Sequence, residues 1–221
     1  MNFAFSEEQE ELRRTVRQFL EAKSPSSEVR PLRQMTGSSE FNEVFFDGAR
    51  TAKDNVLGAV GEGWKVAMAT LGFERGTAFL SQQLAFEHEV AALLDEAHKR
   101  GVASDPVLRD ELANRYTGLQ VMRFNGMRML TAMLKHGTLG PEASIGKLFW
   151  TSWHRRFGET AMDVMGADAL LVDRASDGAY ELDDLHRIFM ASRAETIYAG
   201  SSEIQHNIIG ERVLGLPREP R

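Results

Sequence analysis

A glutamate inside an apolar run is the side chain of this sequence that is best placed for acid–base chemistry. Glu74 lies in the segment LGFERGTAFL, and its neighbours at helical spacing are Ala67, Leu71 and Ala78. Burial on such a stripe disfavours a charged carboxylate and makes the group a stronger base near neutral pH. The same placement is typical of an ion pair between helices. The spacing alone favours that second interpretation, because structural ion pairs also perturb carboxylates.

A polar turn near the end of the sequence is the second candidate site. The residues AGSS at 199–202 follow an apolar pair and precede a run with the character of a helix, at 203–214. Ser201 or Ser202 can cap that helix, and the N–H groups of its first turn can then bind an anion such as a pyrophosphate. A plain helix cap is the alternative, and these residues taken alone favour it.

The sequence contains no familiar metal-binding or nucleotide-binding pattern. It has no cysteine, and none of its six histidines forms the His-Glu-x-x-His pattern that binds zinc on a helix. It also lacks the Gly-x-Gly-x-x-Gly and P-loop patterns that bind the phosphates of nucleotides. We therefore predict a site without a metal ion.

The hydrophobic periodicity predicts an all-α fold, an up-down helical bundle with one short strand near 41–46. Stop and start signals predict long helices from about 63 to 100, from Pro106 onward and from Pro141 to about 165, then shorter helices near 183–195 and from 203.

The N-terminal part of the sequence is patterned differently from the bundle. A capping box at residues 6–9 predicts a first helix that ends near Lys23. Residues 24–40 contain two prolines and are expected to form a connection or a short helical turn. We therefore divide the chain into an N-terminal helix and connection, residues 1–40, and a helical bundle, residues 41–221.

Charge and hydropathy argue against two classes of partner. The 221 residues carry a net charge of −6, and an acidic chain has no broad electrostatic attraction to nucleic acid. No apolar run is long enough for a transmembrane helix, and the acidic residues near the start are unlike a signal peptide. We therefore expect a cytoplasmic protein without nucleic-acid or membrane partners.

Four segments of the sequence resemble the acyl-CoA dehydrogenase family, with the greatest likeness to its actinobacterial members. They occur in family order: FAFSEEQEELRRTVRQFL at the start, FNEVFFDGART with NVLGAVGEGWKVAMATLGFERG at 41–76, GPEASIGKLFW at 140–150 and IYAGSSEIQHNIIGERVLGLPRE at 197–219. The last segment is the most specific. The resemblance implies a helical C-terminal domain, FAD as the cofactor and α,β-dehydrogenation of an acyl-CoA thioester. It also implies an electron-transfer flavoprotein as acceptor and a homo-oligomer or a hetero-oligomer with a related dehydrogenase.

The resemblance assigns roles to individual residues. In most members a glutamate removes the α-proton while the β-hydrogen leaves as hydride to the flavin, and that glutamate occupies the position of Ala199 here. Other members take the base from the long helix, immediately before an arginine, and Glu74-Arg75 matches that arrangement. The resemblance thus makes Glu74 the catalytic base and places Arg75 and Gly200 on the substrate. The positions that it assigns to the cofactor are Arg100, Asp163, Val164, Gly166, Ser201 and Glu203.

One departure from the family pattern affects the expected activity. In the family, several helices and a middle β-domain lie between the first helix and the FNEVFF strand, whereas RPLRQMTGSS joins them here. The middle domain covers the flavin ring, so its absence predicts a flavin open to water and impaired activity. The alternative functions are a non-catalytic helical oligomerisation module and a partner subunit of a full-length dehydrogenase.

Overall fold

The computed structural model describes residues 27–50, 52–137, 143–174 and 180–218; for residue 27, residues 71–81 and residues 173–174 it describes the backbone alone. The chain forms two compact units, residues 1–66 and 67–221. The elements in chain order are β1 (Ser27–Leu32), β2 (Phe41–Phe46), a 3₁₀ turn (Lys53–Asn55), α1 (Gly63–Lys99), α2 (Pro106–His136), α3 (Ala143–Met165), a second 3₁₀ turn (Gly166–Leu170), β3 (Asp173–Arg174), β4 (Tyr180–Glu181), α4 (Asp184–Glu195), α5 (Ser202–Ile208) and a π-helical turn (Ile209–Val213).

The predominance of helix confirms the predicted all-α class. The expected helices near 63–100 and 183–195, and the expected end near residue 165, agree with α1, α4 and α3. The final helix is shorter than the run at 203–214 predicted, because α5 changes to a π-helical turn after residue 208. The predicted helix that ends near Lys23, and the predicted helix start at Pro141, lie outside the described residues.

The first unit contains an antiparallel hairpin that the sequence analysis predicted only in part. The strand expected near 41–46 is confirmed as β2, but it pairs with β1, where we expected a connection or a short helical turn; that expectation was wrong. Pro31 has no N–H to donate, which argues against a strand in sequence. A two-stranded sheet tolerates it because each strand has one free edge. The boundary expected between residues 40 and 41 therefore falls between paired strands, inside this unit.

Caps define both ends of α2. The carboxylate of Asp105 accepts hydrogen bonds from the N–H groups of Val107 and Leu108, at 2.9 and 3.0 Å, and Pro106 occupies the first helical position. Gly137 ends the helix with a φ of +74°, a conformation that costs glycine little. These caps fix where the chain turns between the long helices of the second unit.

The core of the second unit lies between α1, α2 and α3. Its apolar residues recur at helical spacing on each helix, so each contributes one stripe. The buried apolar residues are Phe86, Val90, Leu93 and Ala97 of α1, Leu112, Leu119 and Met122 of α2, and Trp153, Phe157, Ala161 and Val164 of α3.

The apolar stripe of α2 is only partly covered in the single chain. Its members near the middle of the helix are buried, whereas others at the same spacing are between 41% and 79% exposed: Tyr116, Met127, Leu130 and Leu134. The second half of α2 thus presents an apolar face to solvent. None of the described helices combines the length and the apolar character needed to cross a membrane.

The central helix of this unit is α3, which packs against α2 and α4 and also contacts α5. Small residues allow the close approaches. A Cβ added at Gly158 would lie 2.9 Å from the Cα of Phe189, so α4 rests directly on the backbone of α3 at this point. On the other side, the indole Nε1 of Trp153 donates to the carbonyl of Arg115 at 2.9 Å, which ties α3 to α2.

We expect Gly158→Ala to lower the free energy of unfolding by about 1–3 kcal/mol, because the added methyl group meets backbone that cannot move without shifting α4. Gly146→Ala is the matched control on the same helix, since its Cβ would lie 3.6 Å from the sulfur of Met129, an ordinary contact. The control should be neutral or more stable by up to about 1 kcal/mol, as alanine is the better helix former. Urea unfolding followed by circular dichroism makes the comparison, and equal losses in the two variants would contradict the close approach.

Candidate functional site

The polar turn predicted from the sequence joins α4 to α5. We call residues 196–201 the Ala199 turn. The hydroxyl of Ser201 accepts from the N–H of Ile204 at 3.5 Å, which confirms Ser201 as the N-cap of α5. The N–H groups of Ile197 and Tyr198 both donate to the carbonyl of Ala194, at 2.9 and 3.0 Å. The turn therefore follows directly from the last turn of α4.

The backbone of the Ala199 turn is in a strained conformation. Ala199 has a φ of +53°, and among the described residues it is the one non-glycine residue with a positive φ. Gly200 follows with a φ of +93°. A left-handed conformation costs an L-residue roughly 1–2 kcal/mol, so surrounding contacts must hold this turn in place.

Two side chains hold the carbonyl groups of this turn. The Lys147 ammonium donates to the carbonyls of Glu195 and Gly200, at 2.8 Å each. Gln205, 2% exposed, donates through Nε2 to the carbonyls of Ala199 and Gly200, at 3.4 and 3.3 Å. A Cβ at Gly200 would lie 2.7 Å from that nitrogen and would displace the Gln205 amide, and the φ of +93° also favours glycine here. Partial burial lowers the pKa of Lys147, which the negative charges of Glu195 and Glu203 partly oppose.

A buried histidine secures the residue immediately before the turn. His154 of α3 is bonded through Nδ1 to Oε2 of Glu195, the last residue of α4, at 2.7 Å. Its Nε2 is bonded to Oε2 of Glu89 on α1, at 2.9 Å. We call these three residues the Glu–His–Glu cluster. It joins three helices through one imidazole ring.

The geometry of the cluster favours a charged imidazole. Each ring nitrogen faces a carboxylate oxygen, and two ionised carboxylates can both be satisfied only when both nitrogens carry a proton. Burial among the rings of Phe86, Trp153 and Phe157 lowers the pKa of His154, but the hydrogen bonds and charges of Glu195 and Glu89 outweigh it and raise the pKa to about 9. The imidazolium is therefore the stable form at neutral pH.

The Glu–His–Glu cluster and the role of Lys147 were not predicted from the sequence. A signal existed in the pattern, since a polar residue on an apolar stripe must find a partner. Glu89 lies between Phe86 and Leu93 at helical spacing, and His154 lies between Trp150 and Phe157. Sequence spacing could not show that these two stripes face each other.

The first turn of α5 provides no free N–H groups for an anion. The N–H of Ser202 donates to the carbonyl of Thr196 at 3.0 Å, and the N–H of Ile204 is taken by Ser201. Glu203 adds a negative charge at the same place. Hydrogen bonds from the Ser201 side chain and from the backbone N–H of Glu203 itself lower the pKa of the Glu203 carboxyl group. A pyrophosphate would have to displace these contacts, and the cofactor roles of Ser201 and Glu203 stay predictions.

Comparison with known proteins identifies the family. The family model "Acyl-CoA dehydrogenase, C-terminal domain" matches residues 61–214, most of the chain. The chain belongs to the acyl-CoA dehydrogenase family. It is similar to the acyl-CoA dehydrogenase IpdE1 of Mycobacterium tuberculosis, with 46% identity over 199 residues that cover 89% of this chain and 49% of IpdE1.

Solved acyl-CoA dehydrogenase structures share the fold. The structure described as "Tcur3481-Tcur3483 steroid ACAD" gives a TM-score of 0.76 at 22% identity and covers 89% of this chain and 50% of its own. The ChsE4-ChsE5 complex from Mycobacterium tuberculosis gives a TM-score of 0.67 at 22% identity. The match covers 88% of this chain and 50% of the chain in that structure. Such likenesses show the fold alone. The chain spans about half the length of the curated relatives it matches, with 49% and 47% of two IpdE1 proteins.

Arg100 is engaged by residues of its own chain. Its guanidinium donates to Oε1 of Glu96 and Oδ2 of Asp168, at 2.7 Å each, and to the carbonyl of Met165 at 3.1 Å. The hydrogen bonds to Asp168 and Glu96 raise the pKa of Arg100. Two carboxylates already balance its charge, which leaves this arginine poorly suited to a pyrophosphate in the present arrangement.

The remaining positions that the resemblance assigns to the cofactor lie near Arg100, in the Ala199 turn or in the first turn of α5. Asp163 is exposed near the end of α3, Val164 is 2% exposed within the core, and Gly166 follows with a φ of +61°. This conformation agrees with the helix C-cap that its position in the sequence favours.

The assigned residues form two groups rather than one site. Lys147 holds the Ala199 turn near the start of α3, and Arg100 bonds to Met165 at its end. At the rise of an α-helix these points are about 27 Å apart. With the charge of Arg100 already balanced, the described residues of one chain do not fit an FAD by themselves.

The predicted base and its neighbour lie in α1. The backbone of Glu74 and Arg75 is helical, as the periodicity predicts, while their side chains lie outside the described residues. Their roles stay predictions.

The buried imidazolium makes stability depend on pH. Because the folded pKa of His154, about 9, exceeds its ordinary value of 6.5, the stabilisation is complete below pH 6.5 and is lost as pH rises through about 9. The loss is on the order of 3 kcal/mol. We expect the urea midpoint of the wild type to decrease as the pH is raised from 6.5 to about 9. In His154→Gln most of this decrease should be absent. His88→Gln, an exposed histidine on α1, is the control and should follow the wild type. A wild-type midpoint that stays constant over this interval would contradict the charged imidazole.

Proposed function

We propose that this chain is a subunit of an acyl-CoA dehydrogenase-type oxidoreductase that forms a double bond between the α and β carbons of an acyl-CoA thioester. The observation that carries the proposal is the braced Ala199 turn. Lys147, Gln205 and the Glu–His–Glu cluster hold a strained backbone at the position where the family places its substrate. Strain that is held from several sides is typical of a functional site.

Glu74 is the proposed catalytic base. Ala199 has no group that accepts a proton, so the base must come from another element, and Glu74-Arg75 on α1 matches the alternative family arrangement. In the proposed reaction a carboxylate oxygen of Glu74 takes the α-proton, while Arg75 and Gly200 contact the acyl-CoA. Efficient proton removal near neutral pH requires a base in an apolar setting, which the sequence around Glu74 provides.

FAD is the proposed cofactor, and its site is completed between subunits. The two groups of assigned residues, about 27 Å apart along α3, support a shared site. The exposed apolar face on the second half of α2 offers a surface for association. The partner is a second copy or a related dehydrogenase, and the two-protein names of the Tcur3481-Tcur3483 and ChsE4-ChsE5 structures support the second choice. The proposed electron acceptor is an electron-transfer flavoprotein.

The second candidate function is a non-catalytic helical oligomerisation module or a partner subunit of a full-length dehydrogenase. The pairing of Arg100 with Glu96 and Asp168 favours it, because a flavin pyrophosphate would have to compete with two carboxylates for this cation.

Absorbance of the purified protein separates the two candidates. We expect the visible absorbance of bound oxidised flavin after incubation with FAD, in an oligomer whose mass is measured by light scattering. Arg100→Gln should weaken FAD binding by about tenfold or more if the FAD phosphate displaces Glu96 and Asp168 from this guanidinium, and should leave FAD binding unchanged if those ion pairs persist. Arg109→Gln, an exposed arginine on α2, is the control. A chain that FAD does not titrate, alone or with a related dehydrogenase, would support the non-catalytic module.

Moving the base tests the assignment of Glu74. We expect Glu74→Gln to lower kcat for acyl-CoA oxidation by about 10²–10⁴-fold, since the amide keeps the shape and cannot take the proton. Ala199 is exposed, so Ala199→Glu introduces the usual family base without a clash. Added to Glu74→Gln, it should restore part of the rate. Full activity of Glu74→Gln would refute the assignment.

A further inference from the structure

The Glu–His–Glu cluster and the Ala199 turn meet at one residue. Glu195 is the last residue of α4, and the turn begins at the next position. Its side chain is bonded to His154, and its carbonyl accepts from Lys147, which also holds the carbonyl of Gly200. The position of Glu195 therefore sets where the turn leaves α4.

The cluster has the rigidity that a strained turn requires. His154 is 4% exposed, and both of its ring nitrogens are bonded, so the imidazole can neither flip nor rotate without breaking a buried bond. The hydrogen bond to Glu89 anchors the His154 ring to α1. The position of Glu195 is therefore restrained by the core helices as well as by its own helix, α4. A left-handed Ala199 persists only under such external restraint.

We propose that His154 is a positioning residue, which fixes the Ala199 turn in its left-handed conformation by holding Glu195 against α3 and α1. The catalytic meaning of this role rests on the proposed function. The alternative is a cross-link that stabilises the whole bundle and has no particular effect on the turn.

The charges around the ring define what a test must control. Glu89 faces it from α1, Glu195 from α4, and Lys147 on α3 interacts with Glu195. Arg115 of α2 is paired with Glu111, and its carbonyl receives the indole N–H of Trp153. When His154 loses a proton, the ring keeps only one N–H group. That group can donate a hydrogen bond to one of the two carboxylates but not to both.

Hydrogen exchange of backbone amides in the full 221-residue chain tests the proposal without requiring activity. The informative amides are those of Ile197, Tyr198 and Ser202, whose hydrogen bonds lie within the turn or tie it to α4. In His154→Gln and in Glu195→Gln we expect the exchange of these amides to accelerate by a factor about ten times larger than the factor for the α2 amides at 112–122, which report the loss of global stability. His88→Gln should leave both sets unchanged. In the wild type, protection of the turn should fall as pH rises through about 9, after correction for the intrinsic rate.

Two outcomes would overturn the proposal. Unchanged turn amides in both variants would show that the cluster does not restrain the turn. Equal acceleration in the turn and in α2 would show a general structural cross-link. Glu195→Gln keeps the shape of the side chain and removes its charge, so it is the milder of the two variants.

Activity measurements separate this proposal from the proposed function. If the FAD-loaded oligomer oxidises an acyl-CoA, His154→Gln should lower kcat more than it raises KM, because a displaced turn misaligns a substrate that still binds. If the wild type has no activity and the turn amides still respond, the positioning role stands and the oxidoreductase proposal fails.

Discussion

A buried imidazolium between two carboxylates is the interaction on which the second unit depends. One ring satisfies Glu89 of α1 and Glu195 of α4 from its place on α3. Each charge of the three is costly to bury alone, and together they are paired and hydrogen-bonded. Because hydrogen bonds have strict direction, the cluster also fixes how the three helices are rotated about their axes, which apolar packing alone defines less sharply.

The helix α3 carries this interaction because its residue sizes suit a central position. Trp153 and Phe157 fill the space toward α1 and α2, while Gly158 lets α4 rest on the backbone. The end of α4 is thereby brought within reach of His154 and Lys147. The close packing of α4 on α3 and the hydrogen bonds from His154 and Lys147 thus act together at the start of the Ala199 turn.

Local signals in the sequence predicted most of the helices, since the caps Asp105 and Ser201 act within three residues of the helix starts. The strand β1 was missed because Pro31 obscures its pattern, although its partner β2 follows after a short loop. The site was predicted less well for a different reason, since its contacts join residues that are distant in sequence. His154 meets Glu195 and Glu89 across 41 and 65 positions, and Arg100 meets Asp168 across 68. Periodicity shows which residues share a helix face, but not which faces meet.

The left-handed backbone at position 199 does not depend on the side chain at that position. Groups elsewhere in the chain hold the backbone, and the Ala199 methyl group is exposed. A glutamate or an alanine can therefore occupy this position on the same scaffold. Under the proposed function, an evolving lineage can gain a proton acceptor on α1 before it loses one from the turn, because neither change alters the backbone of the turn.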